Sequence, residues 1–261
     1  MSEREKILRY YRGAGESDIA LRLVDAVENV ARNTKVRVSE FLDPHGLSMA
    51  ETVVAHYSGV HLENFGGFAG AERVKAAFIQ TDFSGQVSYN IVALAISWDK
   101  RFVHFSHRDV LGAVLGVGIE RAVLGDIVMS SDGCFVIIDK NLSEFLVNGL
   151  TQIGNTSVSV SVVELDQIPP KEEKLKEIRT TAASLRLDVI AAAGFGTSRT
   201  KMADDIVADK VKLNWQETRK SDQAVKAGDM ISMRGRGRLE VSEILGTTKK
   251  GRFSLLLKRY I

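Results

Sequence analysis

The sequence predicts an α+β protein in three parts: an N-terminal α/β segment over residues 1–83, a central ferredoxin-like (RRM-like) split βαβ module over residues 86–166, and a small domain of two helices and a small sheet over residues 184–246. Three observations predict this. The apolar period switches repeatedly between 3.6 and 2 along the chain, which mixes helices with strands. The middle third reads strand, helix, strand, strand, helix, strand, the order of a split βαβ unit. Charge divides at residue 171, with 20 Lys and Arg against 12 Asp and Glu from there to the end, or +8, leaving −6 before it.

In the first segment Ile19, Leu23, Ala26, Val27 and Val30 recur at helical spacing and predict an amphipathic helix. Residues 35–38 alternate as a strand, and Asp43-Pro44 reads as a turn that breaks the pattern. A helix is expected over residues 48–57, a strand over 60–63 leading into Gly66-Gly67, and a helix or strand over 71–79. His45, His56 and His61 lack the spacing and partners of a metal site. No metal or other cofactor is expected.

The central module opens with a short apolar run of strand length, residues 91–98. Ser106 and Asp109 form a capping box that starts a helix through Val114 and Leu115, which Gly116 and Gly118 end. Residues 121–129 read as a strand, Asp132-Gly133 as a turn and residues 134–139 as the third strand. Asn141 with Glu144 predicts a second cap, opening a helix through Phe145, Leu146 and Leu150 that Gly154 ends. Val158, Val160 and Val162 alternate with serines as a half-buried strand. A base-reading module of this layout stacks bases on aromatic residues of its third strand, where here only Phe135 is suited. The module is therefore expected to pack or position its neighbours. His104 and His107 beside Asp109 lack a third metal ligand, and Gly112, Gly116 and Gly118 fit neither a P-loop nor a dinucleotide fingerprint.

Residues 167–183 contain Pro169-Pro170 and a charged run, expected to be a solvated linker or short exposed helix. Beyond it Leu187, Ile190 and Ala191 predict a helix with Gly194 as its C-cap, and Ser198 caps a second helix burying Met202, Ala203, Ile206 and Val207. Arg199 and Lys201 at that second helix start sit beside free backbone N–H groups, an arrangement suited to phosphate. Val211 and Leu213 mark a strand, Gly228-Asp229 a turn and residues 230–233 another strand. If the next stretch is extended, Arg234, Arg236 and Arg238 share one side with glycine on the other. Residues 247–261 are expected to form a C-terminal basic strand.

A basic half points to a polyanionic partner. The single Cys134 excludes an internal disulfide and fits a reducing compartment. The charged N-terminus lacks the apolar core of a secretory signal, and no run reaches the roughly 18 apolar residues of a membrane span. A cytoplasmic protein with no membrane span is expected.

Ser184, Arg186-Leu187-Asp188, Gly194, Ser198-Arg199, Ile206, Val211, Leu213-Asn214, Gly228-Asp229 and the Arg-Gly-Arg-Gly-Arg ending resemble the RNA-binding domain first seen in small-ribosomal-subunit protein four, the S-four domain. With His107-Arg108-Asp109-Val110-Leu111-Gly112-Ala113 and Gly125-Asp126-Ile127 upstream, nearly the full chain resembles the YlmH family and its photosynthetic-lineage relatives, the photosystem II S-four-domain proteins. The resemblance implies a non-catalytic grip on the backbone of structured RNA, ribosomal or transfer RNA, on the large ribosomal subunit in rescue or quality control of stalled translation. It implies an RNA-binding surface of Arg186, Arg199, Lys201, Lys210, Lys212 and Asn214, extended by Arg234, Arg236 and Arg238. Two positions depart from the pattern. Asp209 and Trp215 stand where the family usually has glycine, and Trp215 is expected to cover the small sheet, with base stacking as its other use. Two other readings stay open. One is an RNA-modifying enzyme, a pseudouridine synthase or ribosomal RNA methyltransferase; Arg186-Leu187-Asp188 matches the start of the synthase motif, but Val189-Ile190-Ala191 follows inside a helix. The other is a protein-binding assembly factor for photosystem II or cell division.

Overall fold

The computed structural model describes residues 2–12, 16–99, 101, 103–169 and 175–260, and divides into two compact units, Met1–Lys171 and Glu172–Ile261. The first unit begins with α1 (Glu3–Arg12), which buries Ile7 and Tyr11, and α2 (Ser17–Arg32), which buries the predicted stripe of Leu23, Val27 and Val30. These pack with α3 (Pro44–Val54) on a three-stranded antiparallel sheet of β1 (Val36–Leu42), β3 (Val74–Gln80) and β2 (Val60–Phe65) in that order. Asp43-Pro44 starts α3 where a turn was expected. The Asp43 carboxylate accepts the Gly46 N–H at 2.8 Å, and Pro44 takes the first helical position, where its missing N–H costs nothing.

The second half of this unit has the topology its element order predicts. β4 (Ile91–Ser97), α4 (His107–Gly116), β5 (Leu124–Met129), β6 (Gly133–Asp139), α5 (Ser143–Gly149) and β9 (Ser159–Val163) form a sheet ordered β5-β6-β4-β9, with the small hairpin β7 (Gln152–Ile153) and β8 (Thr156–Ser157) leading into β9. The Ser106–Asp109 capping box forms as expected. At α5 the cap differs: Asp139, not Asn141, accepts a backbone N–H, from Asn141 at 3.0 Å, and a single 3-10 turn precedes the helix.

One face of this sheet carries Leu94, Ile96, Val136 and Ile138 against Val110, Val114 and Leu146 of the helices. The opposite face, where a base-reading relative would stack bases, is covered. Ala93, Val128 and Ile137 cluster there with Phe41 of β1 and with Ile168, and Phe68, Phe135 and Leu165 pack against them. Gly125 permits this approach, since a Cβ there would lie 2.8 Å from the Phe41 ring and 3.0 Å from the Ile137 Cβ. Polar groups lock the same junction. Asp126 accepts the N–H groups of Glu72 and Arg73 at 2.7 and 3.2 Å, and the Arg73 guanidinium donates to the carbonyls of Leu124, Phe41 and Arg121 at 2.8, 2.8 and 3.0 Å. Burial, then the neighbouring Arg73 charge, pushes Arg121 down to about 10, which still leaves it a cation near neutrality. Lys75, only 4% exposed, donates to Asp139 at 2.5 Å.

The second unit lays α6 (Leu187–Phe195) and α7 (Arg199–Val207) on a six-stranded sheet ordered β10 (Leu175–Ala182), β15 (Phe253–Tyr260), β14 (Gly237–Thr247), β13 (Met230–Met233), β11 (Val211–Leu213), β12 (Gln216–Glu217). Its core joins Leu187, Ile190, Met202 and Ile206 to Ile231, Leu239, Leu255 and Leu257. Four expectations change here. The charged stretch expected as linker or exposed helix supplies β10, an edge strand paired along its length with β15; residues 170–174 of that stretch lie outside the described residues. The expected separate C-terminal strand is β15, seated between β10 and β14. Val207 is exposed, and Asp205 takes the buried place on α7. Gly194 lies inside α6, and Gly196, at φ +65°, ends it in the left-handed conformation.

Gly194 serves packing instead. A Cβ there would lie 2.8 Å from Leu239 Cγ and closer still to its methyl groups. Alanine has the higher helix propensity by about 1 kcal/mol, but overpacking costs about 1–3 kcal/mol. Gly194→Ala is expected to lower the melting temperature of the second unit by several degrees. An unchanged or raised melting temperature would show that Leu239 yields freely.

Candidate nucleic-acid interface

The basic residues of the second unit fall into three settings. At the helix starts, Arg186 precedes α6 and Arg199 opens α7, whose N-cap Ser198 accepts the Lys201 N–H at 3.2 Å. The two arginines meet on one carboxylate. Asp188, 2% exposed, accepts from Arg186 Nε and Nη2 at 3.1 and 3.2 Å and from Arg199 Nε at 2.9 Å. Burial alone would raise the Asp188 carboxyl, but the hydrogen bonds and charges of Arg186 and Arg199 outweigh it and hold it below its usual value. Asp188 thus fixes the roots of two guanidiniums whose side chains remain 38% and 58% exposed.

A depressed carboxyl titrates first in the unfolded chain, so its stabilising effect is complete above the unfolded value of about 3.9 and is lost as pH falls through the folded one. Thermal melts of the second unit are therefore expected to hold steady from pH 7 to 5 and to decline below about pH 4. Asp188→Asn should flatten that decline.

The second setting lies beyond α7. Lys210 donates to Asp205 at 2.8 Å, and Arg219 donates to both oxygens of Asp209, which sits at φ +56°. Hydrogen bonding to Arg219 holds the Asp209 carboxyl below its usual value, so its charge is already balanced. Arg234 does not extend a strand. Residues 234–236 make the turn between β13 and β14, with Gly235 and Gly237 at φ +76° and +85°, and the Arg234 N–H donates to the Lys210 carbonyl at 2.9 Å. The expected one-sided row of three arginines is therefore broken by two left-handed glycines. Arg236 turns back and donates to the Phe195 carbonyl at 3.0 Å, neutralising the C-terminal end of α6.

The third setting is the solvent face of the sheet. Lys212 stands 3.5 Å from Glu217, and Arg238 lies over the rings of Trp215 and Tyr260. Asn214 is consumed by structure, its amide donating to Asp229 at 2.9 Å and accepting the Met230 N–H at 2.8 Å. Asn214 and Trp215 have φ +50° and +70°, a two-residue hairpin turn in which tryptophan carries about 1–3 kcal/mol of backbone strain. Trp215 is half-buried, lies outside the apolar core and has Arg238 of the sheet over its ring. Of the nine residues marked in the sequence, Lys201 and Arg234 are exposed and make no side-chain hydrogen bond among the described residues. The pairing of Asp188 with Arg186 and Arg199, and of Arg219 with Asp209, is what sequence reasoning missed.

Comparison with known proteins places this geometry in a family. Family models match three stretches in order: "YlmH, N-terminal" over residues 16–83, "Putative RNA-binding domain in YlmH" over residues 85–167, and "Mitochondrial transcription rescue factor 1, C-terminal domain" over residues 176–238. A curated protein of Bacillus subtilis (strain 168), "Ribosome-associated protein quality control protein P2", is 30% identical over 233 residues, covering 88% of this chain and 90% of its own length. The chain belongs to the YlmH family. A solved chain, "Cell division protein ylmH from Streptococcus pneumoniae", aligns with a TM-score of 0.51 at 22% identity over 59% of this chain and 95% of its own, a likeness of fold. The first two YlmH matches meet at the junction described above, where Gly125 and Asp126 face Phe41, Glu72 and Arg73. Among the described residues no group of three or more His, Cys, Asp or Glu is placed to hold a metal, and no helix is long and apolar enough to cross a membrane.

Proposed function

We propose that the chain is a cytoplasmic, non-catalytic RNA-binding protein that grips the backbone of structured ribosomal or transfer RNA through an S-four-type C-terminal unit, on the large ribosomal subunit during quality control of stalled translation. The observation that carries this is the pair of helix starts joined at Asp188. Two guanidiniums and Lys201 stand beside the N-terminus of α7, in a stretch, residues 171–261, with an excess of eight positive charges. Backbone N–H groups, the positive end of the helix and fixed arginines together suit a phosphate. Lys201 and Arg234 are the cations ready to exchange water for phosphate. Arg186 and Arg199 are aimed by Asp188 and keep donors to spare. Lys212 exchanges an exposed carboxylate partner, Glu217, for phosphate at small cost, because surface ion pairs contribute about 0–1 kcal/mol, whereas Lys210 is held by the buried Asp205 and turns its remaining donors outward. Asn214 and Arg236 also shape the surface through their hydrogen bonds to Asp229, Met230 and Phe195.

The B. subtilis relative's name supports the ribosomal assignment, and the covered sheet face of the central module favours the second unit as the RNA grip. Co-sedimentation with purified large ribosomal subunits tests it. Binding that is lost in high salt and after ribonuclease treatment is the expected result; a complex that survives ribonuclease intact would favour a protein partner instead.

A further inference from the structure

The solvent face of the C-terminal sheet carries an aromatic group that phosphate binding does not employ. Lys212, Ser232, Arg238 and Tyr260 are directly opposite one another on successive antiparallel strands, so their side chains share one face. The adjoining row, Leu213, Ile231 and Leu239, turns inward to the core. On the outer face the Arg238 guanidinium lies 5.1 Å from the centre of the Tyr260 ring and 5.8 Å from that of Trp215. The Tyr260 hydroxyl donates to Glu240 at 2.8 Å, which fixes that ring in place. Neither ring belongs to the apolar core, and both residues are half-buried.

Trp215 occupies a left-handed position in a two-residue turn where glycine would sit without strain. A large aromatic kept at such a position, outside the core, marks a use beyond folding. We propose that Trp215, with Arg238 and Tyr260, is a stacking platform for an unpaired nucleobase of the RNA that this unit grips. The proposal rests on the RNA-binding reading above and adds a ligand subsite to it. Every base presents a π face, so the platform selects for an unpaired base and not for its identity. Lys212 lies in the same row and supplies charge for the adjoining phosphate, offset in part by Glu217.

The test compares two RNA probes with the full chain: a blunt hairpin, and the same hairpin carrying a short single-stranded 3′ extension. The wild type is expected to prefer the extended probe by roughly fivefold to a hundredfold. Trp215→Gly, which relieves the turn and should melt no lower than wild type, is expected to lose that preference while binding the blunt hairpin as before. Trp215→Phe should retain most of it. A preference that persists in Trp215→Gly, or an equal loss on both probes, would overturn the platform and leave the backbone grip standing. Failure of the wild type to bind either probe at low salt would overturn both.

Discussion

Asp139→Ala is expected to destabilise the first unit by about 3–5 kcal/mol, the loss seen when one partner of a buried ion pair is removed. Lys75 is 4% exposed and donates to Asp139, and truncating the carboxylate would leave a cation stranded between the N-terminal sheet and the central module. Asp139 also accepts from the Asn90 side chain at 3.0 Å and from the Asn141 backbone, so the β4 entry and the cap before α5 loosen together. Domains of this kind carry about 5–15 kcal/mol in all, which makes the loss a large share of the total. Urea denaturation followed through the buried Trp98 would measure it. The double change Lys75→Met with Asp139→Leu should recover part of the loss, since an apolar pair carries no desolvation cost. A single-variant loss below about 1 kcal/mol would show that water reaches Lys75.

Removing both Arg186 and Arg199 is expected to affect the second unit similarly. Each arginine stands partly in solvent and the other still pairs with Asp188, so either single alanine should cost little. Together they leave Asp188 buried without a cation, and the combined loss should exceed the sum of the singles. Its sign with pH should also reverse. Without the arginines, burial raises the Asp188 carboxyl above its unfolded value, and the native state then binds the proton more tightly. Stability of the double variant should therefore rise as pH falls from 7 toward about 4, the range in which the wild type is flat. A double variant with the wild-type pH profile would contradict the clamp. RNA binding lost in this variant would report unfolding as much as lost contacts, so it is a poor probe of function.

Local chemistry was legible in the sequence and distant pairing was not. Ser106 and Asp109 declare a capping box because both partners lie within one turn. Likewise the ferredoxin-like order of the central module follows from apolar runs and turns that need no partner to be recognised. By contrast β10 looks like a linker, because an edge strand buries one side only: Ile178 and Ala182 face inward along a polar stretch, and its partner β15 is the last strand of the chain. Lys75 and Asp139 are 64 residues apart, and nothing local marks either as buried. Within the candidate interface, Arg199 and Lys201 were visible as cations at a helix start, and Arg186 through the family resemblance. The tether that unites the two arginines, Asp188, resembled a fragment of a catalytic motif, and its role depends on a residue 11 positions away. The arginine row failed as a strand because Gly235 and Gly237 permit a turn, and glycine spacing alone does not separate the two outcomes. The covered face of the central sheet also has a trace in the sequence, the absence of aromatic partners for Phe135 on its strand.

The central claim is that the second unit holds RNA by its phosphates, and Lys201 and Arg234 test it most directly because neither side chain holds the fold together. Equilibrium binding of the full chain to a structured RNA hairpin should be measured across a salt series for the wild type and for Lys201→Ala with Arg234→Ala. The account predicts unchanged melting, weaker binding, and a log affinity against log salt slope shallower by about 1.4–1.8, the loss of two phosphate contacts at about 0.7–0.9 each. A wild-type affinity that does not fall with salt, or a slope that the double variant leaves unchanged, would contradict it.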